Sequence, residues 1–128
     1  MNEMQKIAEE NFKKWSEALL TGKAENVVAL YADENSFLPT VSPEFKTGKI
    51  EAEGYFKHFL EKNPKGKVVK ERVQKISEKA YLHSGLYDFE LGPDDKRQIV
   101  EARFTFLWEM DEEKNWLIAH HHSSVKPT

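Results

Sequence analysis

Gln98-Ile-Val-Glu-Ala-Arg-Phe-Thr-Phe-Leu-Trp-Glu-Met110 changes character at almost every residue. Val100, Ala102, Phe104, Phe106, Trp108 and Met110 fall on one side of an extended chain, and Glu101, Arg103, Thr105, Leu107 and Glu109 on the other. A period of two sustained this long marks a strand with one face in a core. The same period runs from Gly66 onward and predicts four strands, Lys67–Ser77, Ala80–Leu91, Gln98–Met110 and Trp116–Val125. Turns at Glu78-Lys79, Gly92-Pro-Asp-Asp95 and Asp111–Asn115 separate them. Strands of about twelve residues exceed the usual five or six and must twist or bend. Gly85, inside the second of them, predicts a bulge or bend.

Alternation also sorts the neighbouring strands. Tyr81, His83, Gly85, Tyr87, Phe89 and Leu91 share one face of Ala80–Leu91. On Trp116–Val125 it groups Trp116, Ile118, His120, His122 and Ser124, leaving Leu117, Ala119, His121, Ser123 and Val125 opposite.

Upstream the period is helical. Met4, Ile7, Ala8, Phe12, Trp15, Ala18 and Leu19 mostly recur at steps of three and four, giving a half-buried helix stopped at Thr21-Gly22. Ala24 to Ala32 predicts a second helix, with Val27, Val28, Leu30 and Tyr31 toward the core. Ser36-Phe-Leu38 reads as a short strand ended by Pro39. Ala52, Tyr55, Phe56, Phe59 and Leu60 mark a third helix over about Lys49 to Lys62, and Asn63-Pro-Lys-Gly66 turns the chain. Helices followed by an antiparallel meander give an α+β fold with the helices on one sheet face. The expected organisation is a single domain over residues 1–128.

Composition narrows the function. The 19 basic and 22 acidic residues are interspersed, giving a net charge of −3 without the basic stripe of a nucleic-acid binder. The lysines from Lys62 to Lys75 are interrupted by Glu71 and alternating valines, as on a solvated edge strand. No cysteine is present, so there is no disulfide framework or thiolate nucleophile. No apolar run approaches the ~20 residues that span a bilayer. The amphipathic start Met1-Asn-Glu-Met-Gln-Lys6 has no signal-peptide core, so a cytoplasmic location is expected, or an exported one if a leader has been removed. Walker, GxGxxG, GxSxG and kinase signatures are absent, so no machinery for nucleotide hydrolysis or phosphoryl transfer is visible.

Several polar residues are candidates for a site. Arg103 sits between large apolar neighbours, where an unpaired guanidinium is expensive to bury. Either it is the anion hook of a pocket, or it pairs with Glu101, Glu109 or Asp88, or it belongs to a subunit contact. His120-His-His122 follows the strand pattern; the i, i+2 pair chelates a metal only if a third ligand such as His58 or His83 converges. No spacing enforces that, and no metal or cofactor is expected. The run otherwise serves a hydrogen-bonding pocket or interface, or lies plainly on the surface or in the core. Tyr55 and His58, one turn apart, either overhang a cavity mouth or are core and solvated flank respectively. Of Tyr87 and Asp88 only one can face the cavity, and Tyr87 is favoured because a phenol buries its ring and still bonds.

The segments Trp15-Ser-Glu-Ala-Leu-Leu-Thr-Gly22, Leu30-Tyr-Ala32, Leu38-Pro-Thr-Val-Ser42, Tyr55-Phe-Lys-His-Phe-Leu60, Ser84-Gly-Leu-Tyr-Asp-Phe89, Ala102-Arg-Phe-Thr-Phe106 and Trp116-Leu-Ile-Ala-His-His-His-Ser-Ser124 carry a resemblance over nearly the whole chain. Together they resemble the nuclear-transport-factor-2-like superfamily, and within it small bacterial proteins related to the association (hub) domain of calcium/calmodulin-dependent protein kinase II. The resemblance implies a cone-shaped curved sheet wrapped around the long first helix, a pocket at the wide end, and homodimers or larger rings formed through the sheet. Kinase activity is not implied. Tyr87, Arg103, Thr105, His121, His122, Ser123 and Ser124 match the family's polar positions. His83, Phe106 and Ser123 stand where the kinase hub's pocket carries arginines, so the hub's ligand preference does not transfer.

The reading that follows is a self-associating pocket domain binding a small polar or anionic organic molecule. Arg103 would hold the charge, Tyr87 and His122 would orient the ligand, Tyr55 and His58 would shape the rim, and Thr105, His121 and Ser124 would complete the lining. The rivals are an acid–base enzyme of isomerase, dehydratase or cyclase type, with catalytic residues unassigned, and a pure oligomerisation module.

Overall fold

In a computed structural model describing residues 1–128, the first helix, α1, spans Glu3–Leu20. Its start is set by Asn2, whose side chain accepts from the Gln5 amide while the Gln5 side chain accepts from the Asn2 amide, both at 2.8 Å. This reciprocal capping satisfies two of the amide donors that a helix start leaves open. Thr21 and Gly22, the latter at φ +71°, end the helix. Met4, Ala8, Asn11, Trp15 and Leu19 form its buried stripe.

The second helix, α2, is shorter than its sequence suggests and covers only Ala24–Val28. Tyr31 and Ala32 instead open strand β1, Tyr31–Leu38. Five residues of the helix suffice to bury Ala24, Val27 and Val28, and Tyr31 reaches the core from an extended backbone. Strand β2, Lys46–Thr47, is a two-residue addition that the periodicity does not reveal. Helix α3, Gly48–Phe59, passes into a 3₁₀ turn at Leu60–Lys62.

The remaining strands follow the alternation closely: β3 Lys65–Ser77, β4 Ala80–Leu91, β5 Gln98–Met110 and β6 Trp116–Val125. They form one curved six-stranded sheet in the order β2-β1-β6-β5-β4-β3. The β1–β6 pair is parallel and the other four pairs are antiparallel. The lysine-rich β3 is an edge, where charged side chains discourage pairing with another chain. The sheet curves around α1 without closing into a barrel, as expected of a cone-shaped α+β fold. No helix is long and apolar enough to cross a membrane.

Irregularities in the ladder help shape the curve. Val68 pairs with Tyr87 but Lys70 pairs with Leu86, so Val69 is an extra residue in β3. Gly85 is therefore not itself the bulge; it makes room for one. A Cβ there would stand 1.9 Å from the Lys70 carbonyl oxygen and 2.8 Å from the Glu71 Cα. A second irregularity lies in β6, where Leu107 pairs with His120 but Trp108 pairs with Ile118, leaving Ala119 over. Each extra residue bends its strand and reverses its side-chain parity.

Aromatic rings fill the interior. Trp15 stacks over Tyr87 with planes 7° apart and meets Phe106 and Phe89 edge-on. Burying each such ring contributes roughly 1.5–3 kcal/mol, so the inner sheet face and the α1 stripe hold each other. This packing fixes the few polar groups among the rings.

Candidate functional site

The Ala119 bulge decides which histidines face inward. With strict alternation His120 and His122 would join Ile118; with one residue inserted, His121 and Ser123 do so instead. His121 is 2 % exposed, Ser123 is buried, and His122 is exposed.

Inside, a chain of polar groups crosses the aromatic core. Trp15 Nε1 donates to the Tyr31 hydroxyl at 3.2 Å. Tyr31 lies 2.8 Å from His121 Nδ1, and His121 Nε2 lies 3.2 Å from the Tyr87 hydroxyl. Tyr87 donates to Ser123 Oγ, which in turn hydrogen-bonds Thr40 Oγ1. Tyr55 donates to the Thr40 carbonyl at 3.3 Å. The cavity beside this chain measures about 10 Å³, enough for one water. Its walls include Thr40, Tyr55, Tyr87, His121 and Ser123.

Burial sets the protonation of this cluster. Desolvation pulls the His121 imidazolium well below the ordinary histidine range, and His120 and His122 nearby add repulsion. Desolvation likewise pushes the phenols of Tyr31, Tyr87 and Tyr55 above their ordinary range. The cluster is neutral throughout.

The sequence candidates divide between two faces. Tyr87, His121 and Tyr55 meet in the interior. Arg103, Thr105, His122 and Ser124 lie together on the outer face, around a groove of about 310 Å³. Arg103 is exposed, and its Nε donates to Ser124 Oγ at 3.3 Å. The expectation that Arg103 shares a cavity with Tyr87 is corrected by the pairing of Ala102 with Tyr87: the smaller residue is inward, which turns Arg103 out. His58 is exposed on α3 and does not line the cavity. No three His, Asp or Glu side chains converge.

Thr40, Tyr31 and Ser123 complete the interior chain and were not singled out by spacing. Their hydroxyls carry little sequence signal, because Tyr31 fits an apolar stripe and Ser123 becomes internal only through the bulge. His83 and Phe106, at two positions where the resemblance implies lost arginines, are also fully buried. His83 Nε2 meets Glu71 Oε1 at 2.8 Å, and Glu71 is the cross-strand partner of Gly85. Its Nδ1 is buried without a partner. Burial lowers the His83 pKa, partly opposed by Glu71. This histidine–carboxylate pair does not border the cavity.

Comparisons with solved structures agree with the fold. A Xanthomonas campestris protein provisionally named as a calcium/calmodulin dependent protein kinase II association domain is 38 % identical, with a TM-score of 0.92 over 99 % of this chain and 90 % of that one. More distant structures share the fold. A Catenulispora acidiphila protein in complex with S-DNPA gives a TM-score of 0.80 at 11 % identity, over 92 % of this chain and 90 % of its own. A ketosteroid isomerase-like protein from Erwinia carotovora gives 0.78 at 14 %, over the whole of both chains. No curated protein matches the chain. The pattern of the calcium/calmodulin dependent protein kinase II association domain matches residues 3–127, and the chain belongs to that family.

Proposed function

We propose that this chain is a self-associating domain whose interior holds a small polar molecule and whose copies meet through the outer sheet face. One observation carries the ligand half: a connected imidazole, two phenols and two hydroxyls sit in an aromatic core beside a small cavity. Polar groups placed there cost stability unless every one is paired, so a core needing only to be packed would omit them. Relatives of this fold include one solved with S-DNPA and one named for ketosteroid isomerase likeness, which supports a ligand inside the cone. The association half draws on the family and on the outer face. There Leu82, Leu86 and Leu107 are half-buried among Ser84, Thr105 and Arg103, a mixture suited to a partner surface.

A second reading is favoured by the size of the cavity. At about 10 Å³ it holds no metabolite as it stands, which fits an assembly module with a relict interior. The acid–base enzyme has less support, because no Asp or Glu lines the cavity and the one histidine–carboxylate pair lies elsewhere.

Native mass spectrometry of freshly purified protein separates the two. Multiples of the 14.9 kDa chain carrying a retained organic mass would support the pocket reading. Bare multiples after exposure to a metabolite extract would favour the assembly module. A bare monomer at micromolar concentration would overturn both.

A further inference from the structure

We infer that the interior site takes an uncharged molecule through one hydrogen-bond-accepting oxygen, of carbonyl or ether type, set against the Thr40–Ser123 hydroxyl pair. This rests on the reading of the interior as a ligand site and names the chemistry that site accepts.

The argument starts from groups whose role is forced. An indole N–H only donates, so the Tyr31 oxygen accepts from Trp15. The single Tyr31 proton then goes to His121 Nδ1, its other partner. From the opposite end, the single Tyr87 proton goes to Ser123. The Tyr87 oxygen therefore meets His121 Nε2 as an acceptor, and Nε2 carries the hydrogen. Both ends require the same neutral Nε2–H tautomer. The order continues outward: Ser123 receives from Tyr87 and shares one hydrogen bond with Thr40. Whichever of these two hydroxyls donates across that bond, the proton of the other has no acceptor left in the protein. Tyr55 donates to the Thr40 carbonyl, and no hydrogen bond joins it to either hydroxyl.

The chain thus runs one way, from an indole in the core to one spare O–H at the cavity. A spare donor selects an acceptor. Nothing around the cavity supplies charge, because its walls contain no Asp, Glu, Lys or Arg. Charging His121 to hold an anion would place a proton on Nδ1, and Tyr31, already receiving from Trp15, would lose the acceptor for its own buried hydroxyl. A carboxylate or phosphate is therefore disfavoured, and an ammonium finds no counter-charge. A neutral oxygen reaching into the water-sized cavity satisfies every group.

The test uses NMR on the full chain with labelled histidine. His121 should show its proton on Nε2; a proton on Nδ1 overturns the one-way order and the proposal. Acetamide and acetone should shift the Thr40, Ser123 and Tyr87 amide signals, with acetate and methylammonium at least about tenfold weaker. Thr40→Val combined with Ser123→Ala, which removes both hydroxyls of the pair, should weaken acetamide about tenfold, the value of one neutral hydrogen bond. Acetate binding there as tightly as acetamide overturns the proposal while leaving the pocket standing. Silence of these signals with all four probes overturns the pocket reading and the proposal with it.

Discussion

His121 lies flat on Phe106, with ring centroids 4.1 Å apart and planes 18° from parallel. Phe37 also stacks against the imidazole and two phenols meet its ring nitrogens, so burial disfavours its charged form. That burial makes His121 a pH-dependent element of the fold.

The sign follows from its lowered pKa. The unfolded histidine, near 6.5, binds a proton that the folded one refuses, so the unfolded state gains protons first as pH falls. Stability from this group is complete above about pH 6.5 and is lost progressively below it, until the folded pKa is reached. Between pH 7.5 and 5.5 stability should fall as the unfolded histidine takes up its proton. Urea midpoints at the two pH values measure the fall, and His121→Gln should flatten the slope. An unchanged slope in the variant would show that His121 titrates as it does in water.

How far the sequence reveals this depends on what each residue's neighbours encode. Alternation in β5 marks Phe104, Phe106 and Trp108 as inward because no residue interrupts that strand. It misplaces His121 because the insertion at Ala119 is a matter of pairing: Leu-Ile-Ala-His carries no glycine or proline to announce it. Arg103 shows the converse. Its parity opposite Phe104 was plain from the strand, yet the sequence alone did not tell which polar group belonged to the interior. Tyr31 joined a helical stripe by spacing and turned out to reach the same core from a strand.

Gly85 tests the bulge on β3. With the Lys70 carbonyl oxygen 1.9 Å from where a Cβ would stand, the obstacle is backbone and cannot rotate away. Gly85→Ala should therefore cost about 3 kcal/mol, the upper range for overpacking. It should also disturb the Glu71–His83 contact, because Glu71 pairs with Gly85 across the strands. Urea denaturation gives the first and the His83 NMR signals the second. A substitution without effect would mean that Val69 is not held as an extra residue.

Val41 makes the opposite prediction. It sits just after Thr40 at φ +52°, a left-handed backbone that a β-branched side chain strongly resists, and the residue is 72 % exposed. Removing the side chain sacrifices little packing and relieves strain of about 1–3 kcal/mol, offset in part by the greater freedom of glycine when unfolded. Val41→Gly should stabilise the protein by roughly 1 kcal/mol, read as a higher urea midpoint. Lower stability would show that the exposed isopropyl group has a partner.

Leu107 probes self-association. It stands on the outer face between Leu82 of β4 and His120 of β6, half-buried and close to the middle of the sheet. In a lone chain Leu107→Glu places a carboxylate at a partly solvated surface and should change stability little. In a sheet-to-sheet contact it buries an unpaired charge, or two copies of it if the contact is two-fold, which costs several kcal/mol. The dissociation constant should rise by at least about 100-fold, measured by sedimentation equilibrium, while circular dichroism stays unchanged. An oligomer of unaltered strength with this substitution would place the contact elsewhere on the molecule and leave the outer leucines and Arg103 in need of another role.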